Sequence, residues 1–192
     1  KNIIAVTGTN GKTSVAEFYY QILNLNQIPV ASIGTLGIKH NNQSIKTSLT
    51  SPDVITIHKN LEKLKKKGID NVILEASSHG LSQRRLNNIK INTGIFTNFS
   101  QDHLDYHKTM NSYLNSKLIL FSKLLSKKSN VVTDKTIKEF SKIKKICKKR
   151  KLKLLNISKC MNEIEKIKLP LKGKFQKKNL SMAILAARLS KL

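Results

Sequence analysis

The chain of 192 residues is long enough to bury one sizeable core, so its length favours a single domain spanning 1–192. Hydrophobic residues make up 39% of it and charged residues 24%, a balance that excludes an intrinsically disordered chain. The formal net charge of +25 indicates either an anionic partner or a heavily solvated lysine surface.

The first two elements are a strand and a helix joined by a glycine-containing loop. The run Asn2–Thr7 is apolar and β-branched, and Lys12–Leu25 has apolar residues at helical spacing. The later elements alternate in the same way: we expect strands at 28–33, 72–76, 94–99 and, more weakly, 130–133 and 153–157, with helices from Pro52 to the lysines before Gly68, at 110–125 and at 179–192. This alternation predicts an α/β fold with a mostly parallel sheet, helices on both faces and ligands at the carboxyl ends of the strands.

The sequence TGTNGKTS at 7–14, between the first strand and the first helix, predicts a phosphate-binding loop. At this position, backbone N–H groups and the helix dipole point at an anion. Lys12 would neutralise the β and γ oxygens, and the Thr13 hydroxyl would ligate Mg²⁺. The loop is a GxxGK[ST] variant of the Walker pattern, because position 6 is valine. We expect ATP to bind along the loop, at Gly8, Thr9, Asn10, Gly11, Lys12, Thr13 and Ser14.

Two further blocks follow predicted strands and carry polar groups to the same edge of the sheet. Glu75 ends the third strand, where a carboxylate can hold magnesium, and it precedes Ser77, Ser78 and His79. Adjacent serines and a histidine do not make a hydrolase triad, and the GxSxG pattern is missing. The block TNFSQDHLDYH at 97–107 places His103 four residues before His107; this spacing could chelate zinc on a helix, but the preceding strand favours a loop, and capping hydrogen bonds are the alternative role.

These blocks together resemble the Mur ligase family. The resemblance is carried by GTNGKTS, EASSHGLSQRR, TNFSQDHLDYH and YLNSK in this order, and it ends with a closing segment at 169–187. With LTSPD at 49–53, the chain is most similar to the members that join a diamino acid to UDP-MurNAc-L-alanyl-D-glutamate. The resemblance implies a central ATP-binding domain, with an N-terminal uridine-binding domain and a C-terminal domain outside 1–192. The missing initiator methionine and the final uncapped helix agree with a piece of a longer protein.

The resemblance also implies a mechanism in which ATP phosphorylates a D-glutamyl carboxylate and an amine then attacks the acyl phosphate. It implies catalytic roles for Lys12, Lys117 and His103, with Lys117 carbamylated by CO₂, and magnesium ligands at Thr13, Glu75, His103 and carbamylated Lys117. It further implies an adenine contact at Asn179 and contacts to the UDP-muramoyl dipeptide at Thr50, Ser51, Ser77, Gln83 and Arg85. Three positions depart from the family pattern: Ser51 replaces a threonine, Gln101 an arginine and Gln176 an asparagine.

Several alternatives stay open at this point. Folylpolyglutamate synthetase shares the loop and the acyl-phosphate chemistry, other Mur ligases come next, and an inactive fragment is a further possibility. A basic nucleic-acid-binding protein would explain the charge, but six Phe, four Tyr and no Trp provide few stacking platforms, so we expect no nucleic-acid partner. Cys147 and Cys160 match no metal spacing, and no apolar run approaches a membrane span. We therefore expect a monomeric cytoplasmic protein whose incoming amine is either meso-diaminopimelate or L-lysine.

Overall fold

A computed structural model describes residues 2–41, 43–47, 49–168, 170 and 173–190. Its centre is an eight-stranded sheet with the strand order β4-β3-β2-β5-β1-β6-β7-β8. The strands are β1 Asn2–Thr7, β2 Val30–Gly34, β3 Gly37–His40, β4 Gln43–Ile45, β5 Asn71–Glu75, β6 Ile91–Phe96, β7 Leu125–Thr133 and β8 Lys153–Asn156. The six strands from β2 to β8 in this order pair in parallel, whereas β3 and β4 form an antiparallel hairpin at one edge.

Helices cover both faces of the sheet. They are α1 Lys12–Leu25, α2 Val54–Lys66, α3 Ser78–Ser82, α4 Leu104–His107, α5 Met110–Ile119, α6 Phe140–Arg150, α7 Ser158–Glu165 and α8 Lys174–Leu189, and a π-helical turn at Leu120–Leu124 follows α5. Among the described residues, no helix is both long and apolar enough to span a membrane.

The sheet separates two apolar clusters. The first includes Ile57 of α2, Leu118 of α5 and Ile143 of α6, which pack on one face. The second includes Tyr19 of α1 and Ala183 of α8, which pack on the opposite face. Burial of an apolar stripe from each helix against a sheet that is apolar on both faces is the expected arrangement for parallel strands.

The parallel register sets the position of the functional loops. Val6 near the end of β1 lies opposite Glu75 at the end of β5, and Thr7 lies opposite Phe96 at the end of β6. All three strands therefore end at one edge, and the loops that follow them meet there. The predicted ligand edge of the α/β fold is formed by these loops.

The α/β fold class and the mostly parallel sheet are confirmed. The hairpin of β3 and β4 was not predicted, and the helix expected at 110–125 ends as α5 at Ile119, after which the π-helical turn leads directly into β7. The last helix begins at Lys174, five residues before its expected start. Residues 191 and 192 of that expected helix, and 169, 171 and 172 of the closing segment, lie outside the described residues.

Candidate active site

The phosphate loop is fixed by contacts with the chain that follows β6. Thr9 N donates to the Asn98 carbonyl at 3.0 Å, Asn10 N donates to Asn98 Oδ1 at 2.9 Å, and Thr97 Oγ1 donates to the Asn10 carbonyl at 2.7 Å. Any Cβ on Gly8 would overlap Thr97 Oγ1, so this position requires glycine. Gly11 adopts φ 84° and caps α1, whose N-terminus points into the loop.

The Lys12 amine folds back over the phosphate loop. Its Nζ donates to the Gly8 carbonyl at 3.1 Å and to the Thr9 carbonyl at 2.8 Å. Burial lowers the pKa of Lys12, and the carboxylates of Glu75 and Asp102 partly oppose this shift. These two carbonyl contacts hold a cation where the loop would receive phosphate groups.

The Glu75 carboxylate is buried at the end of β5 and is surrounded by oxygen and amide groups. Its Oε2 accepts hydrogen bonds from Thr13 Oγ1 at 2.9 Å and Thr35 Oγ1 at 3.1 Å, and its Oε1 accepts one from Thr35 N at 2.8 Å. Carboxylate and hydroxyl oxygens are the ligands that Mg²⁺ prefers, and Mg²⁺ commonly takes only one or two carboxylates together with phosphate oxygens. Glu75 and Thr13 therefore fit a magnesium site beside the phosphate loop.

A zinc site does not fit this arrangement. Within the described ranges, no three side chains of His, Cys, Asp or Glu converge as a metal-binding group. His103 precedes α4 in a left-handed conformation with φ 49°, and its backbone N–H donates to Asp102 Oδ1 at 2.8 Å. The four-residue spacing of His103 and His107 therefore begins outside the helix, as the preceding strand indicated.

Lys117 is the most buried cation of the site. Only 1% of it is exposed, its Nζ donates to the Gly8 carbonyl at 2.7 Å, and it lies 4.2 Å from the centre of the Tyr113 ring. Burial, with a further contribution from the Lys12 charge, lowers the pKa of Lys117 to about 7. A substantial fraction of this amine is therefore neutral near neutral pH and can act as a nucleophile.

A cavity of about 440 Å³ connects these groups. It is lined by most of the predicted site residues, namely Thr9, Asn10, Gly11, Lys12, Thr13, Ser14, Thr50, Ser51, Ser77, Arg85, His103 and Lys117. Of the others, Gly8 is a buried residue of the loop itself, Glu75 is hydrogen-bonded to Thr13, and Gln83 contacts Arg85. The cationic and hydroxyl groups of the lining suit an anionic, phosphate-bearing ligand.

The side of the cavity that faces β5 is a hydrogen-bonded network of serines. Ser51 Oγ donates to the Glu75 carbonyl at 2.8 Å, accepts from Ser77 N at 3.0 Å and lies 3.0 Å from Ser77 Oγ. Thr50 Oγ1 lies 3.2 Å from Thr35 Oγ1. Arg85 Nη1 donates to the Ser51 carbonyl at 2.8 Å and brings a guanidinium to this wall.

Asn179 lies in a separate cavity of about 350 Å³ on the other side of the loop. The Asn179 amide is buried against Gly11, where a Cβ would approach its Oδ1 to 2.6 Å. Gln176, which departs from the family pattern, also lines this cavity and accepts from Asn179 Nδ2 at 3.3 Å. The exposed Phe175 ring adds an apolar surface there.

Sequence reasoning missed three groups of the site. Thr35 contacts Glu75, His79 lies 5.0 Å from His103 between ring centres, and Tyr113 supports Lys117. The position of Thr35 directly after an apolar strand could have identified it, because strand ends carry the ligands in this fold. Tyr113 lies four residues before Lys117 on α5, a helical spacing that could have identified it. His79 depends on a contact with the distant His103, for which the sequence pattern gives no signal.

Comparisons with known proteins agree with this architecture. Residues 6–187 match the family described as the Mur ligase middle domain. A UDP-N-acetylmuramoyl-L-alanyl-D-glutamate–2,6-diaminopimelate ligase of Rickettsia bellii is 45% identical over 179 residues, which are 90% of this chain and 38% of the relative. The ligase of the same name from Brucella melitensis is 47% identical over 125 residues, 65% of this chain and 26% of the relative.

Two solved structures share the fold of this chain. The structure of a ligase of that name has a TM-score of 0.85 and 28% identity, and the match covers 100% of this chain and 44% of that one. The E. coli FolC in complex with DHPP and ADP shares the fold with a TM-score of 0.70 at 17% identity, covering 100% of this chain and 53% of that one. The chain spans less than half the length of the curated relatives named above. It belongs to the Mur ligase family, of which it forms the middle domain.

Proposed function

We propose that the chain is the ATP-binding domain of a ligase that adds diaminopimelate to UDP-MurNAc-L-Ala-D-Glu in peptidoglycan precursor synthesis. The observation that carries the proposal is the single cavity in which the phosphate loop, the serine network, His103 and Lys117 meet. The names of relatives at 45% and 47% identity support diaminopimelate over L-lysine as the incoming amine. The reaction joins an acid and an amine at the expense of ATP.

In the first step, a carboxylate oxygen of the D-glutamyl residue attacks the γ-phosphorus of ATP. The bond from this phosphorus to the bridging oxygen breaks, so ADP leaves and an acyl phosphate forms. Lys12 and the loop N–H groups would bind and orient the transferred phosphoryl group. In the second step, the diaminopimelate amine attacks the acyl carbon, phosphate leaves and the amine loses a proton.

Thr13, Glu75 and His103 would hold Mg²⁺, which when bound neutralises charge on the phosphate oxygens. The hydrogen bond from Thr13 Oγ1 to Glu75 supports a shared role for the first two residues. His103 lines the same cavity and is about half exposed, with its Nε2 3.4 Å from Asp102 Oδ2.

Lys117 would carry a carbamate. Its neutral amine attacks the carbon of CO₂: an N–C bond forms, one C=O π bond opens and leaves its electron pair on oxygen, and the nitrogen loses one proton, so a neutral amine becomes an anion that can bind metal. The lowered pKa of Lys117 and its 1% exposure support this assignment, because an exposed lysine is almost fully protonated at neutral pH.

Six residues would bind the two substrates outside the phosphates. Thr50, Ser51, Ser77, Gln83 and Arg85 would contact the UDP-muramoyl dipeptide, and Asn179 would contact adenine. The Arg85 guanidinium is suited to an anionic peptide. The cavity lined by Asn179 and Gly11 supports the adenine assignment.

The proposed reaction is that of the full-length ligase, of which residues 1–192 form one domain. Other domains of the ligase would hold the uridine and the diamino acid, so residues 1–192 alone would not turn over. It stays a prediction that the enzyme is monomeric, acts in the cytoplasm and has no nucleic-acid partner.

The test is phosphate release by the full-length ligase. We expect release only when ATP, Mg²⁺, the UDP-muramoyl dipeptide and a diamino acid are all present, and a lower rate with L-lysine than with diaminopimelate. Lys12→Ala should abolish release, whereas replacement of the exposed Lys127 by alanine should leave it unchanged. Turnover with glutamate and a folate in place of the muramoyl dipeptide would contradict the proposal.

A further inference from the structure

A chain of hydrogen bonds joins the two polar blocks on one side of the cavity. Gln83 Nε2 donates to Tyr106 Oη at 3.2 Å, Arg85 Nη2 donates to Gln83 Oε1, and Arg85 Nη1 donates to the Ser51 carbonyl at 2.8 Å. We refer to Tyr106, Gln83, Arg85 and Ser51, linked in this order, as the Tyr106 chain. It connects α4 with the wall of the cavity through the residues that follow α3.

The direction of every hydrogen bond in the Tyr106 chain is determined by chemistry. A guanidinium has only donors, so the amide of Gln83 must present its oxygen to Arg85 and its NH₂ group to Tyr106. The phenol oxygen must therefore accept. Since Ser82 Oγ donates its own proton to the His79 carbonyl at 3.0 Å, the phenol proton goes to Ser82 Oγ at 3.2 Å.

This direction fixes which donors of Arg85 are free for a ligand. The Tyr106 chain uses one N–H on Nη1 and one on Nη2, out of five N–H groups on the guanidinium. Arg85 lines the cavity, so the remaining three can receive an anion there. If Gln83 rotated and presented its NH₂ to Arg85, donors would face donors and the guanidinium would turn away.

Tyr106 is held in place although 41% of it is exposed. Its ring centre lies 4.2 Å from that of His79 and 4.7 Å from that of His107. These contacts are made by the ring and leave the hydroxyl to hydrogen-bond with Gln83 and Ser82. Replacement by phenylalanine would therefore keep the ring contacts and remove only the hydrogen bonds.

We propose that Tyr106 is a positioning residue that orients Arg85, through Gln83, toward a carboxylate of the peptide substrate. This inference rests on the proposed function, since it concerns the binding of the muramoyl dipeptide. Tyr106 itself need not touch the substrate. Its hydroxyl would raise affinity for the dipeptide and leave the ATP side of the cavity unaffected.

The test is steady-state kinetics of the full-length Tyr106→Phe ligase with varied dipeptide and varied ATP. We expect KM and Kd for the dipeptide to rise about three- to tenfold, the loss typical of one hydrogen bond near a charged group, with kcat and KM for ATP changed less than about twofold. Tyr19→Phe is the matched control, because it removes a buried hydroxyl that contacts Ser190 far from the cavity. It should change neither KM.

A double-mutant cycle with Gln83→Ala separates positioning from a direct role. If Tyr106 acts through Gln83, the double variant should bind the dipeptide no more weakly than Gln83→Ala alone. An unchanged dipeptide KM in Tyr106→Phe, or losses that multiply in the double variant, would overturn the inference while the ligase activity of the wild type stands. A wild type that releases no phosphate with the dipeptide would instead refute the proposed function and this inference with it.

Discussion

The amine of Lys117 links the chemistry of the site to the stability of the domain. Between pH 7 and 10.5 the unfolded chain binds a proton on this lysine that the folded chain releases, because the pKa falls from 10.5 to about 7 on folding. The free energy of unfolding should therefore rise with pH across this window, by up to about 1.4 kcal/mol per pH unit from this group. Lys117→Met should remove this contribution.

The measurement is denaturant unfolding of wild type and Lys117→Met between pH 7 and 9 in buffer free of CO₂. We expect the variant to be more stable than the wild type at pH 7 and the difference to shrink as the pH rises. Lys127→Met, at an exposed position, is the control. Parallel pH profiles for wild type and Lys117→Met would show that the buried amine does not cause the pH dependence of the free energy of unfolding.

The sequence predicted those residues of the site that a local sequence pattern determines. The phosphate loop was recognisable because two glycines, a lysine and a threonine follow a strand, and Glu75 because it ends another strand. The burial of Lys117 had no such signal, since 36 basic residues make one lysine look like any other. Its low exposure results from the packing of α5 against the loop, which only the fold reveals.

Strand β2 lies close enough to β5 to constrain the Glu75 carboxylate. A Cβ on Gly34 would overlap Glu75 Oε1, so Gly34→Ala should displace the carboxylate from Thr13 and from Thr35. We expect the Mg²⁺ concentration for half-maximal phosphate release by the full-length ligase to rise about tenfold, equivalent to about 1.4 kcal/mol.

Gly94→Ala is the matched control for this change. Gly94 lies in β6, which β1 separates from β5, and an added methyl group would lie 3.0 Å from the Phe121 ring. The change can therefore reduce stability without touching the Glu75 carboxylate. An equal rise in the Mg²⁺ requirement of both variants would indicate general loosening of the sheet and would contradict a specific effect of Gly34.

Elements were predicted where they are long and periodic. The hairpin of β3 and β4 was missed because its strands have four and three residues, too few for alternation to be visible. The end of α5 was missed for a different reason: apolar residues continue through the π-helical turn into β7, so the apolar pattern carries no signal for the change. In both places the local sequence pattern carries no signal for the boundary that the structure shows.

The surplus of positive charge belongs to the molecule as a whole. With 36 basic and 11 acidic residues, repulsion between surface lysines should destabilise the folded state at low ionic strength. We expect the Tm of the domain to rise by several degrees, roughly 3 to 8 °C, between about 50 mM and 500 mM potassium chloride.

A charge-reversal variant of α6 tests the source of this effect. Lys142, Lys145 and Lys149 are exposed on one side of that helix, and their replacement by glutamate should raise the Tm at low salt and reduce its salt dependence. If the wild-type Tm does not change with the potassium chloride concentration, the lysines are too far apart, or too well solvated, to repel one another measurably.

The central sheet has a consequence for how this domain can vary. Because it separates the two apolar clusters, a residue such as Ile57 on one face shares no packed cluster with Ile157 on the other. Energetic effects of changes on the two faces should be additive, since coupling requires shared neighbours. Substitutions in the apolar core of one face should therefore leave the packing of the other face unchanged, so the two halves of the core are free to diverge at different rates.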